Sequence, residues 1–371
     1  MVLDRDVAAM VRDGSFFDAD AYVNFKTTYN LQYFLGQAIE RGKPVLMDIC
    51  DHVFSGPDAA VNEALLSVAT LATTPTATLA DMISTRGATT VVIPDCIEGE
   101  GSSAPPDKPA GLVRLLWFGR QRNAAPLLAC LNDISRPHDG AARQLTVVCD
   151  DAPNLAKTIR DRCPKLSVDG VEWSPHALGQ ALSACHIVLT PMSDDPLHII
   201  KSANRLTHAL WHGRPVASQA FPSLEGLSEY VSVSTDLGAA IGAMTGNWDE
   251  TVSRTKAGRR AVERELAPRI NAGYWDRALR QALDLVGKQT LTENGRSGVR
   301  LNLGCGDKLL PSNINVDAVV ERDGCKADMV CDARDLEPFD DNSVDEILSV
   351  HLIEHLSPWD VPATLAEWAR V

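Results

Sequence analysis

Short apolar runs recur along this chain, each separated from the next by a helix-length stretch, and that alternation constrains the fold more than any other feature. Residues 45–51, 90–94, 112–118, 144–149, the end of 183–190 and 215–219 read as buried strands. Between them, 31–41, 58–71, 75–85, 123–134, 153–162, 201–212 and 235–244 read as helices, and 249–286 as one long helical region. Strands alternating with helices predict an α/β layer fold with parallel sheets.

Two breaks interrupt the pattern. Residues 99–111 carry three prolines, three glycines and a pair of serines, and 287–298 are polar and contain glycine; both read as linkers. At roughly 150 residues per domain, 371 residues make about two and a half domains. The hydrophobic share of 45% and charged share of 23% exclude disorder as the whole story. A net charge of -14 argues against nucleic-acid binding through a general basic surface. The charge is uneven: residues 299–371 hold 6 Lys and Arg against 15 Asp and Glu, which suggests a separate domain. No run reaches the ~18 apolar residues of a membrane span. The first six residues include Asp4, Arg5 and Asp6, where a signal peptide needs an apolar run. Nine cysteines without a Cys-x-x-Cys pair read as reduced core residues of a cytoplasmic protein.

The sharpest motif is VRLNLGCGD at 299–307, an apolar strand entering a loop of small residues. Glycines there let the backbone approach a ligand that a Cβ would exclude. The crevice past a strand's carboxyl end is where open α/β sheets bind ligands. INVD at 314–317, ADMVCDAR at 327–334 and SVDEILSVH at 343–351 read as three further strands. An Asp at position 317 is placed to accept hydrogen bonds from a ribose diol. The loop lacks the third glycine of a dinucleotide fingerprint, which makes dinucleotide binding the weaker alternative. Glu354 and His355 look like a piece of a metal motif, but without a complete His-Glu-x-x-His no metal is expected.

This series resembles the class I S-adenosylmethionine-dependent methyltransferases, in the compact subgroup whose motifs read LNLGCG, NVD, D-x-R and SVDEI…H-x-x-EH. The resemblance covers residues 299–371, with four motifs in order. It implies that Gly304 and Gly306, with Cys305 between them, pass under the methionine part of the cofactor. Asp317 would hold the ribose hydroxyls and Asp332 would sit near the adenine. His351 would be a general base for a hydroxyl nucleophile, a structural histidine being the other reading. Only about seven residues join the Gly306 loop to the second strand, where a parallel crossover takes about a dozen. The first crossover helix is therefore expected to shrink to a turn. In the family, the last helix leads into a Lys-Pro-Gly-Gly turn, a fifth strand and an antiparallel pair. Residues 299–371 supply the cofactor half of that sheet, so the chain reads as a fragment whose fourth strand leaves an unpaired apolar edge.

The middle of the chain carries a second constellation. LLWFGRQRN at 115–123 is a strand ending at Gly119 before a helix start, and CHIVLTP at 185–191 is another strand end. KSANRLTHALWHGRPV at 201–216 reads as a helix, a glycine stop and a strand. Ser202 is placed to cap that helix, whose free amides beside Lys201 suit a diphosphate. These segments resemble the C-terminal, nucleotide-sugar-binding domain of GT-B glycosyltransferases over about 110–285, with residues 1–100 as a shortened N-terminal partner. The resemblance implies a donor site of Gly119, Arg120, Asn123, Lys201, Ser202, Asn204 and Arg205, with the three cations neutralising the diphosphate. Many retaining members carry a Glu-x7-Glu pair around this helix. Aligned through the 213–216 turn, those positions are Ile200 and His208 here, which puts donor-ribose recognition by a Glu in doubt. Arg205 and His208 as plain surface helix residues is the alternative.

The expected architecture is α/β, with Rossmann-like parallel sheets in tandem: a GT-B-like pair and a partial class I methyltransferase sheet. Its parts are 1–100, a linker at 101–111, 112–287, a linker at 288–298, and 299–371. The expected function is a bifunctional sugar-modifying transferase of surface polysaccharide synthesis. It would use S-adenosyl-L-methionine and a nucleotide-sugar donor, with a glycan or lipid-linked acceptor. Peripheral membrane contact is left open. The competing class is a non-catalytic scaffold with a degenerate glycosyltransferase and a truncated, inactive methyltransferase.

Overall fold

The structure is a computed structural model that describes residues 18–24, 32–102, 104–136, 140–193, 195–293, 299–310, 313–322, 324–350, 352–357 and 359–371. The chain divides into two compact units, one of residues up to 284 apart from 40–42, the other of 40–42 and 285–371.

The first unit holds two parallel sheets. β1 (Tyr22–Asn24), β2 (Val45–Asp48), β3 (Leu71–Thr74) and β4 (Thr90–Val92) lie in that spatial order, with α1 (Gln32–Glu40), α2 (Ala59–Val68) and α3 (Ala77–Ser84) between them in sequence. The second sheet contains β5 (Leu112–Phe118), β6 (Ala142–Cys149), β7 (Ser167–Glu172), β8 (Ile187–Thr190), β9 (Val216–Ser218) and β10 (Ser232–Val233). Their spatial order is β7-β6-β5-β8-β9-β10, all parallel. This is the doubly wound order of a Rossmann sheet, whose switch point lies between β5 and β8.

β5 shows why. Val113, Leu115 and Trp117 enter one core with Leu155, Ile159 and Ile241, while Leu116 and Phe118 enter another with Leu178, Leu206, Leu210 and Val262. Period-two alternation of large apolar residues on both faces is what a central parallel strand requires. The helices that cover these faces include α4 (Ala152–Arg162), α5 (Pro175–Ala184), α6 (Asn204–Trp211), α7 (Leu237–Gly246) and α8 (Trp248–Leu266).

Several elements differ from expectation. The long helical region breaks after Leu266, and α9 (Pro268–Glu293) starts afresh. Ala267 is extended, because the proline ring that follows it crowds the helical conformation. The stretch read as a helix over 123–134 is two short helices, Ala125–Ala129 and Leu131–Ser135. β1, β3, β7 and β10 carry too little apolar signal to be read; in β7 Val168 is the one buried residue. The linker-like stretch 99–111 is held to the second sheet's helices and loops at two points. Trp211 donates its indole N–H to the Gly99 carbonyl at 3.1 Å, and Arg214 donates to the Ala104 carbonyl at 3.1 Å.

The second unit is a parallel sheet of order β15-β12-β11-β16, made of β11 (Arg300–Leu303), β12 (Ile314–Asp317), β15 (Met329–Val330) and β16 (Glu346–Ser349). β13 (Glu321–Arg322) and β14 (Cys325–Lys326) form a small hairpin, and α10 (Val361–Arg370) follows β16. Leu301, Leu303, Val316, Leu336 and Phe339 form its core. The third and fourth strands are shorter than read. β16 lies at the sheet edge, as expected, with Val350 and Ile353 exposed beyond it.

No helix is described between β11 and β12, and two asparagines show what replaces it. Buried Asn302 donates to the Lys308 carbonyl at 2.8 Å and to Asn315 Oδ1 at 2.9 Å. Buried Asn315 donates to the Leu310 carbonyl and to Asp328, and accepts the Leu310 N–H. Side-chain amides thus do the backbone pairing that a crossover helix would do for itself.

Among the described residues no helix is long and apolar enough to cross a membrane, and no cluster of three or more His, Cys, Asp or Glu is arranged to hold a metal ion. The nine cysteines are free; Cys130, Cys149, Cys163, Cys185 and Cys305 are buried, whereas Cys50 is exposed.

Candidate functional sites

In the first unit, a cavity of about 410 Å³ opens where the carboxyl ends of both sheets meet. Phe118 and Gly119 reach it from β5, Asn204, Arg205 and His208 from α6, Trp173 from the end of β7, and Asn271 and Trp275 from α9. From the first sheet come Asp48 and Cys50 beyond β2, and Asp95, Cys96 and Glu98 beyond β4. It therefore sits over the β5–β8 switch point, where doubly wound sheets bind their ligands.

Arg205 dominates the electrostatics. Its Nη1 is buried and has no hydrogen-bond partner among the described residues. Burial draws its pKa down, although a guanidinium stays charged. A Cβ on Gly119 would stand 3.6 Å from that Nη1, so the glycine turn after β5 and the cation are direct neighbours. Arg205 is no plain surface helix residue, and neither is His208. His208 lines the cavity, meets Phe118 edge-on at 5.9 Å and lies 4.7 Å from the His212 ring. Burial lowers its pKa, with the Glu98 charge opposing.

Of the seven donor residues named from sequence, Gly119, Asn204 and Arg205 line this cavity. Arg120 and Asn123 do not; Arg120 is exposed and pairs with Asp150 at 3.3 Å. Lys201 and Ser202 are engaged elsewhere: Lys201 pairs with Asp51, and Ser202 donates its hydroxyl to Asp95. α6 begins three residues later than read, with Ala203 at its cap, so Ser202 does not cap it. The segment is held by the first sheet. Thr76 donates to the Ile200 carbonyl at 3.0 Å, and the Ile200 side chain is buried in the first sheet's core.

Sequence reading passed over Asp48. Its Oδ1 accepts the Thr73 hydroxyl at 2.6 Å and its Oδ2 the Cys50 thiol at 3.4 Å. Burial raises its pKa; the two hydrogen bonds oppose this and the Asp95 charge adds to it. Trp173 was also missed, an indole 55% exposed at the cavity rim. An acid closing an apolar run and an exposed aromatic after a weak strand were the available signals.

In the second unit, the loop after β11 turns through Gly304 (φ 68°) and Gly306 (φ 53°). A Cβ on Gly304 would stand 3.0 Å from Leu352, so that glycine serves packing as well as conformation. Nothing nearer than Arg322 Cδ at 3.8 Å faces the same position on Gly306. Cys305 is buried, and burial together with the Asp317 charge pushes its thiol up. Buried Asp317 accepts the Gly306 N–H at 2.9 Å and the Val319 N–H at 3.2 Å. The glycine loop and the acid closing β12 are therefore one assembly. Asp332, past the end of β15, is exposed and gripped by Arg334 at 2.7 Å, which lowers its pKa. His351 lies outside the described residues.

Residues 301–371 match the family model described as a methyltransferase domain. No curated protein sequence matches the chain. Among solved structures it is similar to Anabaena HepE in complex with UDP, 13% identical, with 78% of this chain and 82% of that one covered and a TM-score of 0.54. Sucrose-phosphate synthase from Thermosynechococcus elongatus is 16% identical, with 75% and 77% covered and a TM-score of 0.55. TarM from S. aureus is 9% identical, with a TM-score of 0.50; the match covers 65% of this chain and half of TarM's length. At such identities the likeness is one of fold. The chain joins the fold of GT-B glycosyltransferases to a methyltransferase-domain segment.

Proposed function

We propose that this chain is a bifunctional sugar-modifying transferase. Its first unit would transfer a sugar from a nucleotide donor, and its second would bind S-adenosylmethionine for methylation of a hydroxyl on a glycan or similar acceptor. The observation that carries the first half is Arg205, a buried cation with an unpaired Nη1 at the switch-point cavity and at the N-terminal end of α6. A donor diphosphate supplies the missing anion, and the cation would stabilise charge as that diphosphate leaves. The Trp173 face suits a nucleobase. HepE was solved with UDP and with UDP-glucose, which makes UDP the first nucleotide to try.

The loop geometry supports the cofactor reading of the second unit: Gly306 leaves a cradle that a side chain would narrow, and buried Asp317 presents a carboxylate beside it. S-adenosylmethionine supplies an activated methyl group when bound. Gly304, Cys305 and Gly306 would hold its methionine part, Asp317 its ribose and Asp332 its adenine edge, with His351 as the base toward the acceptor. Pairing the two activities supports a place in surface polysaccharide or lipid-linked glycan assembly in the cytoplasm. The buried Ile200, standing where a donor-binding Glu is common, favours the scaffold reading instead.

Thermal shift with UDP, GDP and dTDP tests the first half. At least one should raise the melting temperature, and Arg205→Ala should remove that rise; no shift from any of them overturns the donor site. For the second half, calorimetry should show binding of S-adenosylhomocysteine that Asp317→Ala weakens at least about tenfold, the scale of one lost charge-assisted hydrogen bond. Absence of heat from folded protein overturns it.

A further inference from the structure

The cavity of the first unit has two chemically different walls. Arg205 stands on the second-sheet side. The first-sheet side presents Asp48, Asp95 and Glu98, and neither lysine nor arginine is among its described lining residues. Lys201, near that side, is paired with Asp51. Asp95 already accepts the Ser202 hydroxyl, and Glu98 is exposed. Asp48 is different: it is half-buried at the carboxyl end of a central strand and fixed by Thr73 from the next strand. It also borders a second cavity of about 410 Å³ that continues along the first sheet past Cys50, His52 and Asn62. A carboxylate held rigidly between two spaces, one of which contains an unpaired buried cation, is placed between an incoming group and a departing anion.

We propose that Asp48 accepts the proton of an acceptor hydroxyl seated against the first-sheet wall, and that this acceptor is uncharged or amine-bearing rather than anionic. The proposal rests on the donor-site reading above. Three carboxylates repel a phosphate or a uronic acid and attract hydroxyl and ammonium groups. In the step itself, the acceptor O–H bond breaks and its proton passes to Asp48. The acceptor oxygen forms a bond to the anomeric carbon as that carbon's bond to the diphosphate oxygen breaks. The electron pair leaves on the diphosphate, beside Arg205, and Asp48 later returns its proton to solvent. A single displacement of this kind inverts the anomeric centre. The Glu-x7-Glu pair of many retaining members is absent, its positions being Ile200 and His208. The charged or titratable groups facing Asp48 across the two cavities are Cys50, Asp51, His52 and Asp58 beyond β2, Asp95, Cys96 and Glu98 beyond β4, Arg122 beyond β5, and Arg205 and His208 on α6. Arg122 borders only the second cavity, away from the Asp95 and Glu98 wall. Burial and the Asp95 charge raise the proton affinity of Asp48 toward that of a working base.

The test uses the full chain with UDP-glucose and UDP-N-acetylglucosamine. The acceptors are glucose, N-acetylglucosamine, glucosamine, glucuronic acid and glucose 6-phosphate. The neutral and amino sugars should accelerate UDP release and the two anionic ones should not. Asp48→Asn should lower kcat by about 10²–10⁴-fold and remove the acid limb of the pH profile, with donor KM and the UDP thermal shift unchanged. Proton NMR should show an inverted anomeric centre in the product. Undiminished kcat in Asp48→Asn, retention of configuration, or acceleration by the anionic sugars overturns the proposal. Wild type that binds UDP but turns over neither donor overturns it and leaves the donor site standing. Wild type that binds no nucleoside diphosphate removes the donor reading itself.

Discussion

His186 shows how one side chain sets a pH limit on the first unit. It is 2% exposed, and its Nδ1 accepts the Arg114 N–H at 3.0 Å, which requires the neutral ring. Burial holds its pKa down at about 4, helped by the Arg114 charge; burial likewise takes His212 to about 4. Unfolded, each returns to the ordinary value near 6.5. Between those values the unfolded chain binds more protons, so the stability these rings contribute is full above about pH 6.5 and is lost as pH falls toward 4. The melting temperature should drop between pH 7 and pH 5, and His186→Asn, which keeps an acceptor but cannot titrate, should flatten part of that slope. An identical slope in the variant would refute the assignment. None of this was legible in CHIVLTP, because one letter at a strand end does not show what its ring accepts. Arg205 was legible as a helix-start cation beside a glycine turn, but its burial was not. Asp48 lies inside the 45–51 run read as one strand, where an acid looks the same whether it meets solvent or a cavity.

Elements were legible where one face repeats and illegible where side chains do the backbone's work. β5 and β11 carry dense apolar patterns and were placed within a residue or two, whereas β7 and β10 sit at sheet edges and bury little. The β11–β12 connection is the instructive case. Its shortness predicts that no helix fits, but the replacement depends on Asn302 and Asn315, which in sequence are two polar letters inside apolar strands. Asn315→Leu should strip partners from the Leu310 amide and carbonyl and from Asp328. At about 1–3 kcal/mol for each buried group left unpaired, the second unit should lose roughly 3–5 kcal/mol. Urea unfolding followed by Trp368 fluorescence measures it, since Trp368 donates to the Ala333 carbonyl at 2.7 Å within that unit. A loss below about 1 kcal/mol would mean that water takes over the pairing. The 200–202 segment teaches the converse lesson. Its motif was legible, but the partners the structure gives it, Asp51, Thr76 and Asp95, lie more than a hundred residues away in sequence, where no local pattern shows them.

At the scale of the whole molecule, the cores do not overlap. The three hydrophobic clusters of the first unit run from Tyr22 to Val262, and the fourth is drawn wholly from residues 299–371. Among the described residues seven form that fourth core, around an open four-stranded sheet. Surface scales against volume in a unit so small, leaving it the more marginal of the two. Scanning calorimetry should therefore resolve two transitions, the lower from the second unit. Ligands assign them. A ligand at about 100 times its Kd adds about 2.7 kcal/mol to the unit that binds it. Each kcal/mol moves a domain of under 100 residues by about 4–8 °C and one of 150–250 residues by about 2–4 °C. S-adenosylhomocysteine should thus shift the lower transition by well over 10 °C and leave the upper in place, while UDP should raise the upper by several degrees and leave the lower. Two ligands acting on two separate transitions is the behaviour that a bifunctional transferase requires and a scaffold without cofactor binding does not show. One transition moved by either ligand would mean instead that the two units unfold together.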